Sequence, residues 1–236
     1  VCHDGIQTQN LQADPEATTY LKRIDRNLNR EEDEVFTFMA RNMEPTRGFH
    51  QFMRALPRIL DARPNARVIL IGGSDYSYGR ASDKKGGYRE EMENEVGHLL
   101  DWDRVHFVGK VPYNNFQRIV QVSRCHIYMT VPFVLSWSFL ESMAMEATVV
   151  ASDTSPVKEV VEHGKNGLLV DFFDPKAIAN QVIEVLENPK DFAHLGPAAR
   201  QTVVEKYDYN TVCLPEHIRQ LNSLVSPDKA LPIPGE

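Results

Sequence analysis

Cysteine is scarce in this chain. Cys2, Cys125 and Cys213 are spread over 236 positions, too few and too far apart for a disulfide scaffold, and no spacing among them suits zinc. They fit a reducing compartment, so a cytoplasmic location is expected, with a membrane-peripheral full-length protein left open. Long apolar runs are missing as well. None is long enough to cross a bilayer, and no signal peptide opens the chain. A basic surplus is also lacking. The formal net charge is −7 with both signs interspersed, which argues against nucleic acid as a partner yet leaves room for a local basic pocket for phosphates. The histidines show no paired ligand spacing, and no internal repeat is evident.

What is present is an alternation. Short apolar, β-branched runs occur at residues 35–40 (VFTFMA), 67–72 (RVILIG), 105–108, 126–131 (HIYMTV), 148–152 (TVVAS) and 167–170. Stretches of helical spacing lie between them, at 48–62, 113–122, 175–186 and 189–206. This rhythm predicts βαβ units and an α/β fold with a doubly wound, Rossmann-like parallel sheet. Ligands of such sheets bind beyond the carboxyl ends of the strands, so functional residues are expected just after each strand. Three regions break the pattern. Residues 1–34 are polar with no clear strand, and their 27–34 charge run reads as a solvated loop or helix end. Residues 74–88 (SDYSYGRASDKKGGY) read as a mobile loop. Residues 226–236 carry three prolines and read as a tail or linker. The expected organisation is a lead-in at 1–34, a nucleotide-sugar-binding domain at 35–224 and a tail at 225–236.

Four strand ends carry candidate chemistry. After the first comes Arg41-Asn-Met-Glu-Pro-Thr-Arg47-Gly48. Two arginines bracketing a proline turn can converge on a diphosphate through charge-assisted hydrogen bonds, and Gly48 allows close backbone approach. Two surface arginines beside a turn are an equal alternative. Gly72-Gly73 after the second strand allows close approach or simply a tight turn. Val111 and Pro112 follow the third, where a helix entry is the plain reading. After the fourth comes Pro132-Phe133-Val134-Leu135-Ser136-Trp-Ser138-Phe-Leu-Glu141, whose helix N-terminus can face a phosphate. Glu141 is either a hydroxyl-binding carboxylate or the fourth member of a Ser138-x-x-Glu141 capping box. The local sequence does not separate the two.

Taken in order, these segments resemble the C-terminal half of a GT-B glycosyltransferase of the large retaining family 4, the glycosyl transferases group 1. Val1-Cys-His-Asp-Gly-Ile6 is similar to the family's interdomain segment V-I-P-N-G-V-D. Ala40-Arg41 through Arg47-Gly48 is similar to its G-R-L-x-x-x-K-G turn, with arginine in place of the lysine. Ile71-Gly72-Gly73, Val108-Gly109 and Val111-Pro112 resemble its next two strand ends, and Leu140-Glu141-Ser-Met-Ala144 resembles L-E-A-M-A. Val149-Val150-Ala151-Ser152 and Glu159-Val-Val-Glu-His-Gly164-Lys-Asn-Gly167-Leu-Leu-Val170 complete the match, the last stretch being its most distinctive part.

The resemblance implies that Arg41 and Arg47 hold the diphosphate of a nucleotide-diphosphate sugar. Glu141 would accept from the ribose hydroxyls. The backbone at Val111 and Pro112 would meet the base, and Phe133, Val134, Leu135 and Ser136 would line the sugar pocket. It implies no cofactor and no metal, with arginines neutralising the leaving charge. The acceptor site and a catalytic-side histidine would lie on an N-terminal domain facing this half, so residues 1–236 alone are expected to be inactive. Two positions depart from the family pattern. Phe133 stands where the first of two glutamates is usual, and Met145-Glu146 stands where Cys-Gly is usual, at a turn that a positive φ would make costly for glutamate. A sugar-nucleotide epimerase half and a non-catalytic scaffold of the same fold are the competing readings. Base, sugar and acceptor are not specified by the sequence.

Overall fold

The first strand pairing lies where the sequence reading expects none. In the structure, a computed structural model that describes residues 2–78, 81–225 and 231–235, β1 (Thr18–Leu21) and β2 (Arg26–Asn29) form an antiparallel hairpin. Each contributes one buried side chain, Leu21 or Leu28, so a period-two pattern has no room to show. The chain reverses through Lys22–Ile24, with Asp25 in the left-handed region at φ 49°. Of the stretch 27–34, expected to be a solvated loop or helix end, residues 27–29 are therefore strand. Two of its charges are also engaged. Asp33 is buried, accepts the Asn29 N–H at 3.0 Å and pairs with Arg26 at 2.9 Å. Glu34 pairs with Arg63 at 2.7 Å.

The six expected runs are six parallel strands: β3 (Val35–Asn42), β4 (Arg67–Gly73), β5 (Val105–Gly109), β6 (Cys125–Tyr128), β7 (Val149–Ser152) and β8 (Leu168–Val170). Their order is β5-β4-β3-β6-β7-β8. The helices are α1 (Phe49–Ala62), α2 (Gly87–Val96), α3 (Tyr113–Gln121), α4 (Trp137–Ala144), α5 (Ser155–Lys158), α6 (Pro175–Glu187), α7 (Leu195–Tyr207) and α8 (Leu214–Asn222). Alternate strand residues point to opposite faces, and β3 shows the result. Phe36 and Phe38 join α1, α2 and α6 in one core, while Val35 joins α3, α4 and α7 in the other. Helix α1 presents Phe49, Phe52, Met53, Leu56, Ile59 and Leu60 on one buried stripe, and Phe38 stacks on Phe52 at 4.7 Å between centroids. Burying one such ring stabilises the fold by roughly 1.5–3 kcal/mol.

Helix α6 begins where its sequence says it should. Asp174 accepts the N–H groups of Lys176 and Ala177 at 2.9 Å each, and Pro175 fills the first helical position. Helix α2 begins at Gly87, inside the stretch expected to be loop. Part of the rest of that stretch is tied down by buried Glu44, which accepts from the N–H groups of Ser77 and Tyr78 at 3.0 and 2.9 Å. The lead-in also joins the body of the molecule. The Ile6 N–H donates to Tyr207 O at 2.9 Å and the Tyr209 N–H to Ile6 O at 2.8 Å. Of the expected tail, residues 226–230 and 236 lie outside the described residues, and Leu231 exchanges two 2.8 Å hydrogen bonds with the Asn222 side chain. Strand order reverses between β3 and β6, which opens a crevice above their carboxyl ends.

Candidate functional site

The floor of the crevice is the turn after β3. Pro45–Arg47 form a single 3-10 turn, and Gly48 leaves it at φ 67°. A Cβ at Gly48 would stand 2.3 Å from Met129 Cβ, so this glycine is demanded by the neighbouring strand as well as by the backbone. The two flanking arginines have different surroundings. Arg41 is exposed, and its side chain has no hydrogen bond or ion pair among the described residues. Arg47 is buried at 7 % exposure. Its Nη1 lies 3.1 Å from Tyr128 Oη, 2.9 Å from Thr130 Oγ1 and 3.0 Å from Val134 O. The rings of Tyr78 and Phe133 roof it at 5.6 and 5.3 Å and touch each other at 4.8 Å. Nε and Nη2 have no hydrogen bond among the described residues, so the guanidinium is held through Nη1 with two donor groups unspent there.

Tyr128 links this cation to the next element. Its oxygen also accepts the Ser136 N–H at 2.9 Å, and Ser136 is the N-cap of α4. That assignment overturns the capping box. With Ser136 as N-cap, the box position three residues on is Phe139, while Ser138 sits inside the first turn and Glu141 in the second. Ser138 Oγ meets Ser136 Oγ at 2.5 Å. Glu141 turns instead to another helix: the Tyr113 hydroxyl donates to its Oε1 at 2.8 Å. Burial pushes the Glu141 carboxyl above its ordinary range, and the Tyr113 hydrogen bond partly opposes that rise. Glu141 faces a cavity of about 460 Å³ lined also by Asp4, Tyr113, Trp137, Tyr209 and His217. Trp137 Nε1 donates to Asp4 Oδ2 at 3.3 Å across its wall.

The remaining expected residues divide. Phe133 and Val134 are exposed at 39 % and 71 %, and Leu135 packs partly against the second core. Gly72 and Gly73 answer to the chain itself: added Cβ atoms would lie 2.2 Å from Ala40 O and 2.4 Å from Asn42 Oδ1. Pro112 is the N-cap of α3 and accepts the Asn115 and Phe116 N–H groups at 3.0 and 3.1 Å. Val111 does not share the Glu141 cavity. It lines a separate one of about 660 Å³ between the hairpin, β5 and α3. Two residues that the sequence reading did not single out belong to this edge. Lys110 lies over Gly73, whose added Cβ would meet Lys110 Cε at 2.7 Å, and it faces Asp75 at 3.8 Å. Tyr113 is the other. Its place after Pro112 at a helix start was legible, but its contact with Glu141 was not.

Three further motifs resolve as framework. Glu146 stands in the left-handed region at φ 60°, as the family comparison of that turn suggests. The Glu146 N–H donates to Met143 O and the Ala147 N–H to Ser142 O, both at 3.1 Å, which is a Schellman closure of α4. In the stretch 159–170, Asn166 is buried. It donates to Val160 O and Thr202 Oγ1 at 2.9 Å each and accepts the Glu162 N–H at 2.7 Å, so it builds the turn before β8. The chain carries one Asp-x-Asp spacing, Asp101-Trp102-Asp103, contrary to the sequence reading, which took that motif to be absent. It precedes β5 at the opposite edge of the sheet, where Asp101 pairs with Arg104 at 2.7 Å.

A parallel sheet with this order and a basic, carboxylate-bearing crevice can be set against known proteins. The sequence model of the glycosyl transferases group 1 family matches residues 22–202. The chain belongs to this family. Among curated relatives, the spore coat protein SA of Bacillus subtilis (strain 168) is 25 % identical over 187 residues, covering 75 % of this chain and 46 % of that protein. The phosphatidyl-myo-inositol mannosyltransferase of Mycobacterium leprae (strain TN) is 23 % identical over 213 residues, covering 89 % and 50 %. The chain thus spans about half the length of the relatives it matches. Among solved structures, Anabaena Alr3699/HepE in complex with UDP and glucose superposes with a TM-score of 0.77 at 20 % identity, over 95 % of this chain and 57 % of that one. The C-terminal domain of the group 1 protein LpcC from Francisella tularensis gives 0.69 at 19 % identity, over 86 % and 99 %. The fold is therefore that of a C-terminal GT-B domain. Among the described residues no helix is long and apolar enough to cross a membrane.

Proposed function

We propose that this chain is the donor-binding half of a retaining glycosyltransferase that moves a sugar from a nucleotide-diphosphate sugar to an acceptor. One observation carries the reading. The Tyr128 hydroxyl ties the Arg47 guanidinium to the N-cap of α4, so a rigid cation and the free N–H groups of a helix start face one crevice. Arg41 stands exposed on the strand that leads into the Arg47 turn, and Glu141 lies one helical turn further along α4. A diphosphate fits the first group, and a ribose diol fits an acceptor-only carboxylate. The donor sugar would then lie along Phe133, Val134, Leu135 and Ser136. The Ser136 N–H is occupied by Tyr128, so a sugar hydroxyl would draw on the other backbone donors of that run, Leu135 among them.

Transfer needs donor and acceptor held in near-attack geometry with water excluded. In this reading a facing domain supplies the acceptor pocket, and the chain alone binds nucleotide without transferring sugar. The roof of Tyr78 and Phe133 over Arg47 favours a second reading, a non-catalytic scaffold in which the arginine is purely structural. Calorimetric titration with UDP, GDP and ADP separates the two. The donor-half reading expects saturable binding of at least one, weakened about ten-fold or more by Glu141→Gln with little change in thermal midpoint. If none of the three binds saturably, the scaffold stands.

A further inference from the structure

The Glu141 carboxylate is held by one side chain from another helix, and that contact decides which of its oxygens a ligand can reach. We propose that Tyr113 is a positioning and specificity-determining residue. Its hydroxyl takes Oε1 of Glu141 and leaves Oε2 as the acceptor offered to a ribose diol in the adjoining cavity. The proposal rests on the donor-binding reading and deepens it. Tyr113 is the first residue of α3, fixed there by the Pro112 N-cap, and its ring leans on Phe116 at 5.9 Å. Glu141 stands in the second turn of α4. The 2.8 Å bond between them crosses from one helix start to the other and selects one carboxylate rotamer.

Two consequences follow from the chemistry. A carboxylate with one oxygen occupied offers a single oxygen to the cavity, and that oxygen has two lone-pair sites. It can take a 2′- and a 3′-hydroxyl together, but it gains nothing from a sugar that lacks them. A half-buried carboxyl also tends to keep its proton, and a protonated Glu141 is a poorer acceptor. The Tyr113 bond works against that by stabilising the ionised form. The other titratable groups around the same cavity are Asp4 on the lead-in, Tyr209 in the turn before α8, and His217 on α8. Gln117, one turn along α3, stands beside the Tyr113 oxygen.

The test uses residues 1–236 and their Tyr113→Phe variant, which keeps the ring and removes only the hydroxyl. Carboxyl carbons of glutamate are labelled with ¹³C and followed by NMR from pH 3 to 8, with Glu141→Gln assigning the signal. In parallel, UDP, GDP and ADP and their 2′-deoxy counterparts are titrated calorimetrically. In Tyr113→Phe the Glu141 titration midpoint is expected to rise. The preference for the ribose over the deoxyribose nucleotide is expected to shrink by about ten-fold. An unchanged midpoint overturns the positioning role, and an unchanged ribose preference overturns the specificity role. If the wild-type chain binds none of the six nucleotides, the ribose part of the proposal falls with the donor-binding reading. The NMR arm still decides whether Tyr113 holds the carboxylate.

Discussion

Arg47 has a structural role, and in the proposed diphosphate site it would have a binding role that Arg41 would hold alone. Arg47→Ala removes one hydrogen-bond partner each from Tyr128 Oη, Thr130 Oγ1 and Val134 O, the first two buried. A net loss of about 0.5–1.5 kcal/mol per hydrogen bond is expected. The exposed Arg41 side chain has no such partners, so Arg41→Ala should leave the urea midpoint where it is. Both variants are expected to lose about ten-fold or more in nucleoside diphosphate affinity. Chemical denaturation beside calorimetry checks the pair. An Arg47→Ala variant that is destabilised yet binds with full affinity would leave Arg47 a structural residue only. The sequence placed both arginines on one turn. It did not tell them apart, because what buries Arg47 comes from residues 78 and 128–134, far along the chain.

At the scale of elements, α4 closes against its own sequence. Its Schellman turn puts a glutamate where glycine meets no steric penalty, and left-handed backbone costs an L-residue about 1–2 kcal/mol. Glu146 has a compensating feature in Arg30, a largely buried guanidinium whose charge the Glu146 carboxylate favours. Glu146→Gly should still stabilise the domain by about 0.5–1 kcal/mol, after the added unfolded-chain entropy of glycine. Thermal melting would register this as a rise of a few degrees, and a fall would mean that the Arg30 attraction outweighs the strain. The strained turn was legible from Met145-Glu146 against the family pattern. The hairpin of β1 and β2 was not. Each strand buries a single side chain, and the pairing takes its support from the second core, where Leu21 and Leu28 join Phe116, Ile119 and Val120 of α3, rather than from its own periodicity.

Across the whole molecule, two histidines inside parallel strands make the fold sensitive to acid. His126 in β6 is fully buried, with Nδ1 at 2.8 Å from Thr37 Oγ1 and Nε2 unpartnered among the described residues. Neither ring nitrogen of His106 in β5 has a partner among them. Burial, assisted at His106 by Arg67 and Arg23, holds both rings from an ordinary 6.5 down to about 4. A histidine depressed in the folded state binds its proton more readily when unfolded. Stability is therefore full above pH 6.5 and is lost as pH falls from there toward 4. Each ring accounts for about 3 kcal/mol of that loss, a large share of a typical domain stability of 5–15 kcal/mol. Urea midpoints measured between pH 7 and 5, above the range where carboxylates dominate, should fall steadily. A flat profile there would mean that the rings find partners on protonation.

The class of this fold is written in local sequence. Six β-branched runs became six strands, with ends within a few residues of those read from the sequence, because a run of apolar residues long enough for a strand and too short for a helix is a local property. Proline, glycine and capping residues punctuated those runs just as locally. The tertiary structure alone decided which strand ends face each other. Only the reversal of order between β3 and β6 brings Arg47 to Tyr128 and the N-cap of α4. Only the docking of α3 beside α4 turns Glu141 from a capping candidate into the partner of Tyr113. Periodicity records which face of an element is buried. It holds no record of which residue, dozens of positions away, completes a hydrogen bond there, since that depends on the order in which whole elements pack.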